Sequence, residues 1–229
     1  AESNGATDPR LALWLNNLAE VHRVRGRYGV AEPLARRALA IREGALGCEH
    51  PHVAISLGNL GAVREALGRY AEAEQLYRRA LGICRKLLGP AHVDTAMAML
   101  NVARLRRVYG SLDEAESLDR EAVACLEREL GPEHPDVASA LNALAADASL
   151  KGIDRAACPM LQRALAMEEE QLGADHPNRA RTLDHIARVC RRLCILEEAE
   201  THARASLEIR ERVFGADHPE TGQSLATLG

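Results

Sequence analysis

Apolar residues recur along this chain at the three- and four-residue spacing of amphipathic α-helices, and the whole arrangement repeats every 42 residues. In the first half of the repeat the apolar positions are Ala12, Leu15, Leu18 and Ala19 and their equivalents 42 residues apart. In the second half they are Ala31, Ala38, Leu39 and Leu46 and their equivalents. Each half therefore predicts one amphipathic helix of roughly four turns.

Proline, histidine and glycine mark the repeat in phase with this pattern. The prolines on the 42-residue grid, which only Val93 interrupts, are Pro9, Pro51, Pro135, Pro177 and Pro219. A histidine precedes each later grid point, and a glycine lies three residues before that histidine. Proline suits the first turn of a helix, and glycine suits its C-terminal end. A second glycine series, Gly26, Gly68, Gly110 and Gly152, marks the turn inside each repeat, with Cys194 as the exception.

This punctuation predicts an all-α fold of tandem helix–turn–helix repeats, because a single amphipathic hairpin cannot bury its apolar face alone. The expected division is an N-terminal tail at 1–8, five repeats, and the first helix of a truncated sixth repeat or cap at 219–229. The five repeats are 9–50, 51–92, 93–134, 135–176 and 177–218.

The series Leu57-x2-Leu60-Gly61, followed by Ala73-x3-Tyr77, resembles the tetratricopeptide repeat signature. The 42-residue length and the stretches LGPEHPDVASALNALA and GRYAEAEQLYRRAL resemble the longer repeats of kinesin light chains. The resemblance implies a right-handed α-solenoid. It also implies that the first helix of each repeat lines a concave surface and the second helix a convex one.

An asparagine occurs at the same first-helix position in three successive repeats, at Asn17, Asn59 and Asn101. A carboxamide offers both a donor and an acceptor, so a row of them can bind the backbone of an extended peptide. In kinesin light chains the matching asparagines contact cargo peptides, and the resemblance implies this role here. Alternatively, each asparagine bonds the neighbouring helix and fixes the stacking of repeats.

Arginine collects on the first helices of repeats three and five, whereas the second helices are rich in glutamate. This distribution favours an acidic segment as the ligand, held by arginine–carboxylate pairs. Alternatively, the opposite charges only face solvent or pair between helices, where each pair contributes little. The predicted peptide-binding residues are Asn16, Asn17, Asn59, Asn101, Arg104, Arg107, Asn142, Arg181, His185, Arg188 and Arg192.

Metal and catalytic chemistry find little support in the sequence. Equivalent histidines lie a whole repeat apart, and helix packing distances put this separation at roughly 10 Å. They therefore cannot converge on one metal ion. We expect instead that they are loop histidines bonded to the backbone. Cys190 and Cys194, with His185 nearby, are expected to be buried thiols rather than ligands. No phosphate-binding loop, zinc-protease or nucleophile-elbow motif occurs. We therefore expect a non-catalytic protein without a cofactor or metal.

Composition narrows the partner class. The net charge is −4 and aromatic residues make up 3 %, which disfavours nucleic-acid binding. No apolar run is long enough to cross a membrane, so a cytoplasmic protein without membrane contact is expected. The sequence predicts a scaffold that binds an extended, acidic peptide. Two alternatives stay open: a self-associating module that uses Leu225 and Leu228, and a regulatory repeat domain of a larger signalling protein.

Overall fold

The computed structural model describes residues 9–216 and 218–228, and this part of the chain contains eleven α-helices and no β-strand. The helices are α1 (Pro9–Val24), α2 (Tyr28–Leu46), α3 (Pro51–Ala66), α4 (Tyr70–Leu87), α5 (Val93–Val108), α6 (Leu112–Leu130), α7 (Pro135–Leu150), α8 (Asp154–Leu172), α9 (Pro177–Arg192), α10 (Leu196–Phe214) and α11 (Pro219–Leu228). The predicted class, all-α with tandem helix–turn–helix repeats, is confirmed. The predicted tail at 1–8 lies outside the described residues, and the exact repeat boundaries stay a prediction.

Histidine begins the first helix of each repeat after the first. The Nδ1 atom of each accepts a hydrogen bond of 3.1–3.2 Å from the backbone N–H two residues later, at His50, His92, His134, His176 and His218. This bond satisfies one of the N–H groups that the first helical turn leaves without a partner. The interpretation of these residues as backbone-bonded loop histidines is confirmed.

The chain forms two compact units, the first ending at Leu105 and the second beginning at Arg106. In the first unit the core lies between each hairpin and the next, where Leu57 and Leu60 of α3 pack with Ala35 and Leu39 of α2. In the second unit the corresponding core joins α8 and α9 and includes Leu161, among others. Stacking of neighbouring hairpins therefore buries the apolar stripe of each helix.

Leu18 departs from the predicted core, because its side chain is 45 % exposed. Its equivalents Leu60, Leu144 and Ile186 are buried. Leu60 is buried because α2 of the preceding hairpin covers it. No hairpin precedes α1 in the described part of the chain, so Leu18 lies on an open helix face beside Trp14 and Val21, which are also exposed.

Cys194 occupies a left-handed backbone conformation with φ of 62° at the turn between α9 and α10. The equivalent turn positions carry glycine, with φ of 76° at Gly152. Cys194 is also exposed, so the expectation of two buried thiols is wrong for it, while Cys190 is buried. A side chain costs free energy in this conformation because its Cβ approaches the backbone.

We expect Cys194→Gly to raise the free energy of unfolding of the second unit by about 1 kcal/mol, because glycine adopts this conformation without steric cost. Chemical denaturation followed by circular dichroism measures the change. The matched exchange Gly152→Cys should lower stability by a similar amount. Equal stability of the wild type and Cys194→Gly would show that the turn is not strained.

Candidate functional site

Three asparagines, Asn17, Asn59 and Asn101, form an amide row on the first helices of the first unit. Asn17 is exposed, whereas Asn59 and Asn101 are half-buried. The side chains of Asn17 and Asn59 make no hydrogen bond within the described residues, and Asn101 Oδ1 accepts a bond of 3.2 Å from Arg104. The alternative of a stacking role is therefore not supported for Asn17 and Asn59. Their amides are available to a ligand.

Asn16 and Asn142 are predicted binding residues that the structure corrects, since both are buried. Asn16 Nδ2 donates to Ser56 Oγ at 2.9 Å, and Asn142 Nδ2 donates to Thr182 Oγ1 at 2.7 Å. Each bond joins the first helices of neighbouring repeats. These two residues fix the stacking of repeats, which was the alternative role considered for the asparagines, and they cannot reach a ligand in the solvent.

At three junctions between repeats, a residue of the intervening second helix bonds to one or both members of a first-helix pair. Each of these groups of three side chains is a buried polar triad. The triads are Asn16–Arg42–Ser56, Asn142–Glu168–Thr182 and Asp184–Arg210–Ser224. In all three, the members occupy the same positions of the 42-residue repeat. Another junction of the first unit has Gly58, Cys84 and Ala98 at those positions, and none of these residues is charged. The junctions between repeats are therefore chemically distinct from one another.

Arg104 lies at the edge of the amide row but is already paired within the first unit. Its Nε atom donates to Glu65 Oε2 at 2.9 Å, and its Nη2 atom donates to Tyr77 Oη at 2.8 Å. Tyr77 Oη in turn donates to Glu65 Oε2 at 2.9 Å, and burial raises the pKa of the Tyr77 phenol. Because Glu65 neutralises Arg104, this arginine offers little net charge to an acidic ligand.

The Tyr77 ring is accommodated because residue 61 is glycine. A Cβ atom built on Gly61 would lie 2.5 Å from the Tyr77 ring, well inside van der Waals contact. The equivalent first-helix residues are alanines, at Ala19, Ala103, Ala145 and Ala187. In this repeat a glycine thus packs against a large ring, whereas in the other repeats an alanine stands opposite a smaller side chain.

Arg107 is a predicted binding residue that lies inside the second unit instead. Its side chain is 12 % exposed and binds the carboxylates of Asp119 and Asp147, both fully buried. Burial and the charge of Asp147 raise the pKa of Asp119 to about 7, although Arg107 opposes the shift. Arg107 therefore neutralises buried acids and is corrected from a ligand contact to a structural residue.

The remaining predicted residues of the second unit lie on α9. His185 is buried, and burial together with the charges of Arg188 and Arg192 lowers its pKa to about 4, so it is neutral at pH 7 and hidden from a ligand. Arg192 is exposed but forms a two-pronged pair with Asp154, with Nε 2.9 Å from both carboxylate oxygens. Arg181 is also exposed.

Arg188 is exposed, and no carboxylate in the described chain bonds to it. Burial of part of the side chain and the nearby arginines lower its pKa, while Asp184 opposes the shift. An arginine surrounded by other positive charges gains most from an added negative charge. Arg188 is thus the predicted arginine best placed to bind an acidic group.

Many other charges pair between second helices, which supports the alternative interpretation of the arginine and glutamate pattern. Arg79 pairs with Glu43 at 2.7 Å, and two repeats later Arg163 pairs with Glu127 at 2.7 Å. The glutamates of the second helices therefore hold neighbouring repeats together as well as facing solvent. Such exposed pairs each contribute little to stability.

Asp119 and Asp147 are buried partners of a predicted site residue that the sequence did not indicate. They occupy repeat positions that are otherwise apolar in the same unit, where Leu161 and Val189 are their equivalents. An acid at a core position requires a buried partner. That signal, together with Arg107 in the same repeat as Asp119, could have indicated the buried cluster.

Within the described ranges, no group of three or more His, Cys, Asp or Glu side chains is arranged to hold a metal ion. None of the helices the structure describes is both long enough and apolar enough to span a bilayer.

Architecture and junction geometry together define a protein of tandem, stacked helix–turn–helix repeats. Models of the tetratricopeptide repeat match residues 10–86, 57–108 and 94–157, and a second set matches 137–178 and 179–220. These matches span nearly the whole chain, and the chain belongs to the tetratricopeptide repeat family.

Solved structures agree with this assignment. A protein of Podosopora anserina assigned as a kinesin light chain, with nearly identical TPR-like repeats, is 24% identical with a TM-score of 0.65, over 90% of this chain and 98% of that one. BtubC (BKLC) from P. vanneervenii is 24% identical with a TM-score of 0.70, over 92% and 84%.

The Rap conjugation gene regulator of the plasmid pLS20, solved with the Phr* peptide, is 17% identical with a TM-score of 0.71, over 92% of this chain and 60% of that one. At these identities the similarity shows the shared fold. A comparison with curated proteins gives no significant match.

The raised pKa of Asp119 predicts a pH-dependent stability. Between about pH 4 and pH 7 the folded chain binds a proton that the unfolded chain releases, so stability should fall as pH rises through this window. Asp119→Asn keeps an oxygen that accepts from Arg107 but has no proton to lose, so it should reduce this decline and raise stability near pH 8. Urea unfolding across the pH range measures both effects.

The exposed acid Glu133 provides the control, and Glu133→Gln should leave the pH profile unchanged. An identical pH profile for the wild type and Asp119→Asn would contradict the assignment of the proton to this buried cluster.

Proposed function

We propose that this chain is a protein-interaction scaffold whose first helices bind an extended segment of a partner protein. The observation that carries the proposal is that the amides of Asn17 and Asn59 lie at equivalent first-helix positions and bond to nothing in the described chain. An extended backbone has unpaired N–H and C=O groups, which carboxamides can satisfy without selecting side chains.

The relatives of known structure support a peptide-binding role. The Rap regulator, which shares this fold, was solved in complex with a peptide. The Podosopora anserina protein carries kinesin light chain repeats of the TPR type. The tetratricopeptide family is one of interaction repeats, so a scaffold without its own catalytic chemistry fits the family better than an enzyme.

An acidic character of the partner is the finer part of the proposal, and it rests on the second unit. Arg181 and Arg188 are both exposed on α9, and Arg188 has no carboxylate bonded to it in the described chain. In contrast, Arg104, Arg107 and Arg192 are held by acids of this chain. An acidic contact is therefore proposed for Arg188, with Arg192 contributing only if it exchanges Asp154 for the ligand.

Loss of both free amides should weaken binding of a peptide. We expect peptides selected from a randomised display library against the wild-type chain to bind Asn17→Ala/Asn59→Ala about tenfold more weakly, since two hydrogen bonds to the ligand backbone are removed. Fluorescence anisotropy with the selected peptides measures the affinity.

Removal of two exposed carboxamides from second helices, Gln75→Ala/Gln162→Ala, is the matched control and should leave affinity unchanged. A library that yields no binder, or binding that survives the asparagine double variant at full strength, would argue against the proposal. If the selected peptides are acidic, Arg188→Ala should also weaken them and reduce the salt dependence of binding.

Self-association is a second candidate function, which Leu225 on α11 favours. Its side chain is 52 % exposed, whereas its equivalents are at most 8 % exposed, at Leu15, Leu57, Met99, Leu141 and Leu183. Those equivalents face the second helix of their own repeat, as Leu15 packs with Ala38 and Ile41 of α2. The side chain of Leu228, also predicted to take part, lies outside the described residues.

If Leu225 pairs with another copy, the average mass from light scattering should rise with protein concentration, and Leu225→Glu should abolish the rise because a charge cannot be buried unpaired. Leu196→Glu, at a leucine of α10 that is 65 % exposed, serves as control. A constant monomer mass at all concentrations would eliminate this function.

A further inference from the structure

A second row of side chains runs beside the amide row in the first unit. Leu13, Ile55 and Met97 each lie four residues before an asparagine of the amide row, so each is its neighbour on the same helix face. They are 50 %, 41 % and 37 % exposed, respectively. We call Leu13, Ile55 and Met97 the apolar row.

The apolar row belongs to the first unit alone. At the same repeat position the second unit carries Ser139 and Arg181, which are polar. Exposed apolar side chains are ordinary when scattered, but three at one repeat position beside the amide row form an ordered surface. The two units therefore present different chemistry on their first helices.

Two arginines near the amide row are paired with acids of the first unit. Arg23 binds Glu20 with Nη2 to Oε1 at 2.6 Å, and Arg104 binds Glu65 with Nε to Oε1 at 2.8 Å. A charged ligand would have to displace one of these pairs to find a partner. The surface thus complements an uncharged segment, in contrast to the arginines of α9.

The spacing of the rows identifies the conformation of that segment. Neighbouring first helices pack directly, as the bond of 2.9 Å between Asn16 and Ser56 shows, so equivalent residues lie about 8–10 Å apart. In a polyproline II helix, every third residue faces the same side, about 9 Å further along. In a β-strand, side chains on one face recur every second residue, about 7 Å apart.

We propose that the first unit binds an uncharged segment in the polyproline II conformation, with apolar side chains at every third position placed on Leu13, Ile55 and Met97. This conformation has no internal hydrogen bonds, so its backbone groups are open to the amides of Asn17, Asn59 and Asn101. The inference rests on the proposed function and specifies the ligand of the first unit.

Two synthetic peptides of identical composition test the proposal on the full chain. Both are proline-rich and contain three leucines, which are spaced three residues apart in one peptide and two residues apart in the other. We expect the peptide with period three to bind at least tenfold more tightly by fluorescence anisotropy, because only it reaches all three repeats at once.

Ile55→Ser, which introduces the residue type found at Ser139, should weaken the period-three peptide about tenfold by removing buried apolar surface. Ser139→Ala changes the equivalent position in the second unit and should have no effect. Trp14→Ser, on the open face that also includes Leu18 and Val21, should likewise have no effect.

Equal affinity of the two peptides would overturn the proposal. So would loss of binding in Trp14→Ser without loss in Ile55→Ser, because the peptide would then occupy the open face of α1. If library-selected peptides depend on Asn17 and Asn59 but the period-three peptide does not bind, this inference fails and the proposed function stands. If neither kind of peptide binds, both fail.

Discussion

The close approach of neighbouring first helices is the constraint on which the rest of the molecule depends. It requires a small residue at one position of the repeat, and the residues there are Ser56 and Ala98 in the first unit and Thr182 and Ser224 in the second, all at most 6 % exposed. Only Trp14, at the same position of α1, is large, and it is 70 % exposed. Because the helices pack this closely, equivalent side chains of successive repeats line up at the spacing of one helix diameter. Rows of amides and apolar groups follow directly from that alignment.

Buried polar groups make the junctions specific. Arg210 is 3 % exposed and is bonded to both Asp184 and Ser224, so a hairpin shifted out of place would leave a charge buried without a partner. A junction that contains Gly58, Cys84 and Ala98 offers no such partner. The polar triads therefore discriminate among hairpins that apolar packing alone would treat as equivalent. Stability and the order of stacking are thus controlled by different residues of the same interface.

The sequence predicted the fold well because the signal for a repeat is non-local and redundant. Proline, histidine and glycine recur in phase with the apolar positions, and each has one physical reason to be there. Site residues were harder. Asn16 and Asn17 are adjacent in sequence, yet about 100° of helical rotation turns one into the junction and the other towards solvent. Periodicity alone did not decide which of the two lies at the junction.

The arginines illustrate a second limit. Arg107 and Arg188 both lie on first helices, but Arg107 binds Asp119 and Asp147, whereas Arg188 has arginines and the acid Asp184 near it and bonds to no carboxylate in the described chain. Which acid a long side chain reaches depends on how three helices stack. Residue spacing along one helix does not contain this information. The signal that did exist was an acid at an apolar repeat position, and it indicates a structural pair rather than a ligand site.

We propose that a partner segment lies on the first helices and is held by their free amides. Side-chain amide resonances of the asparagines, followed by NMR while a binding peptide is titrated into the full chain, report on this contact residue by residue. We expect the Asn17 and Asn59 amide signals to shift with occupancy while those of the buried Asn16 and Asn142 stay in place. Shifts confined to second-helix amides such as Gln75, with Asn17 and Asn59 unmoved, would contradict it.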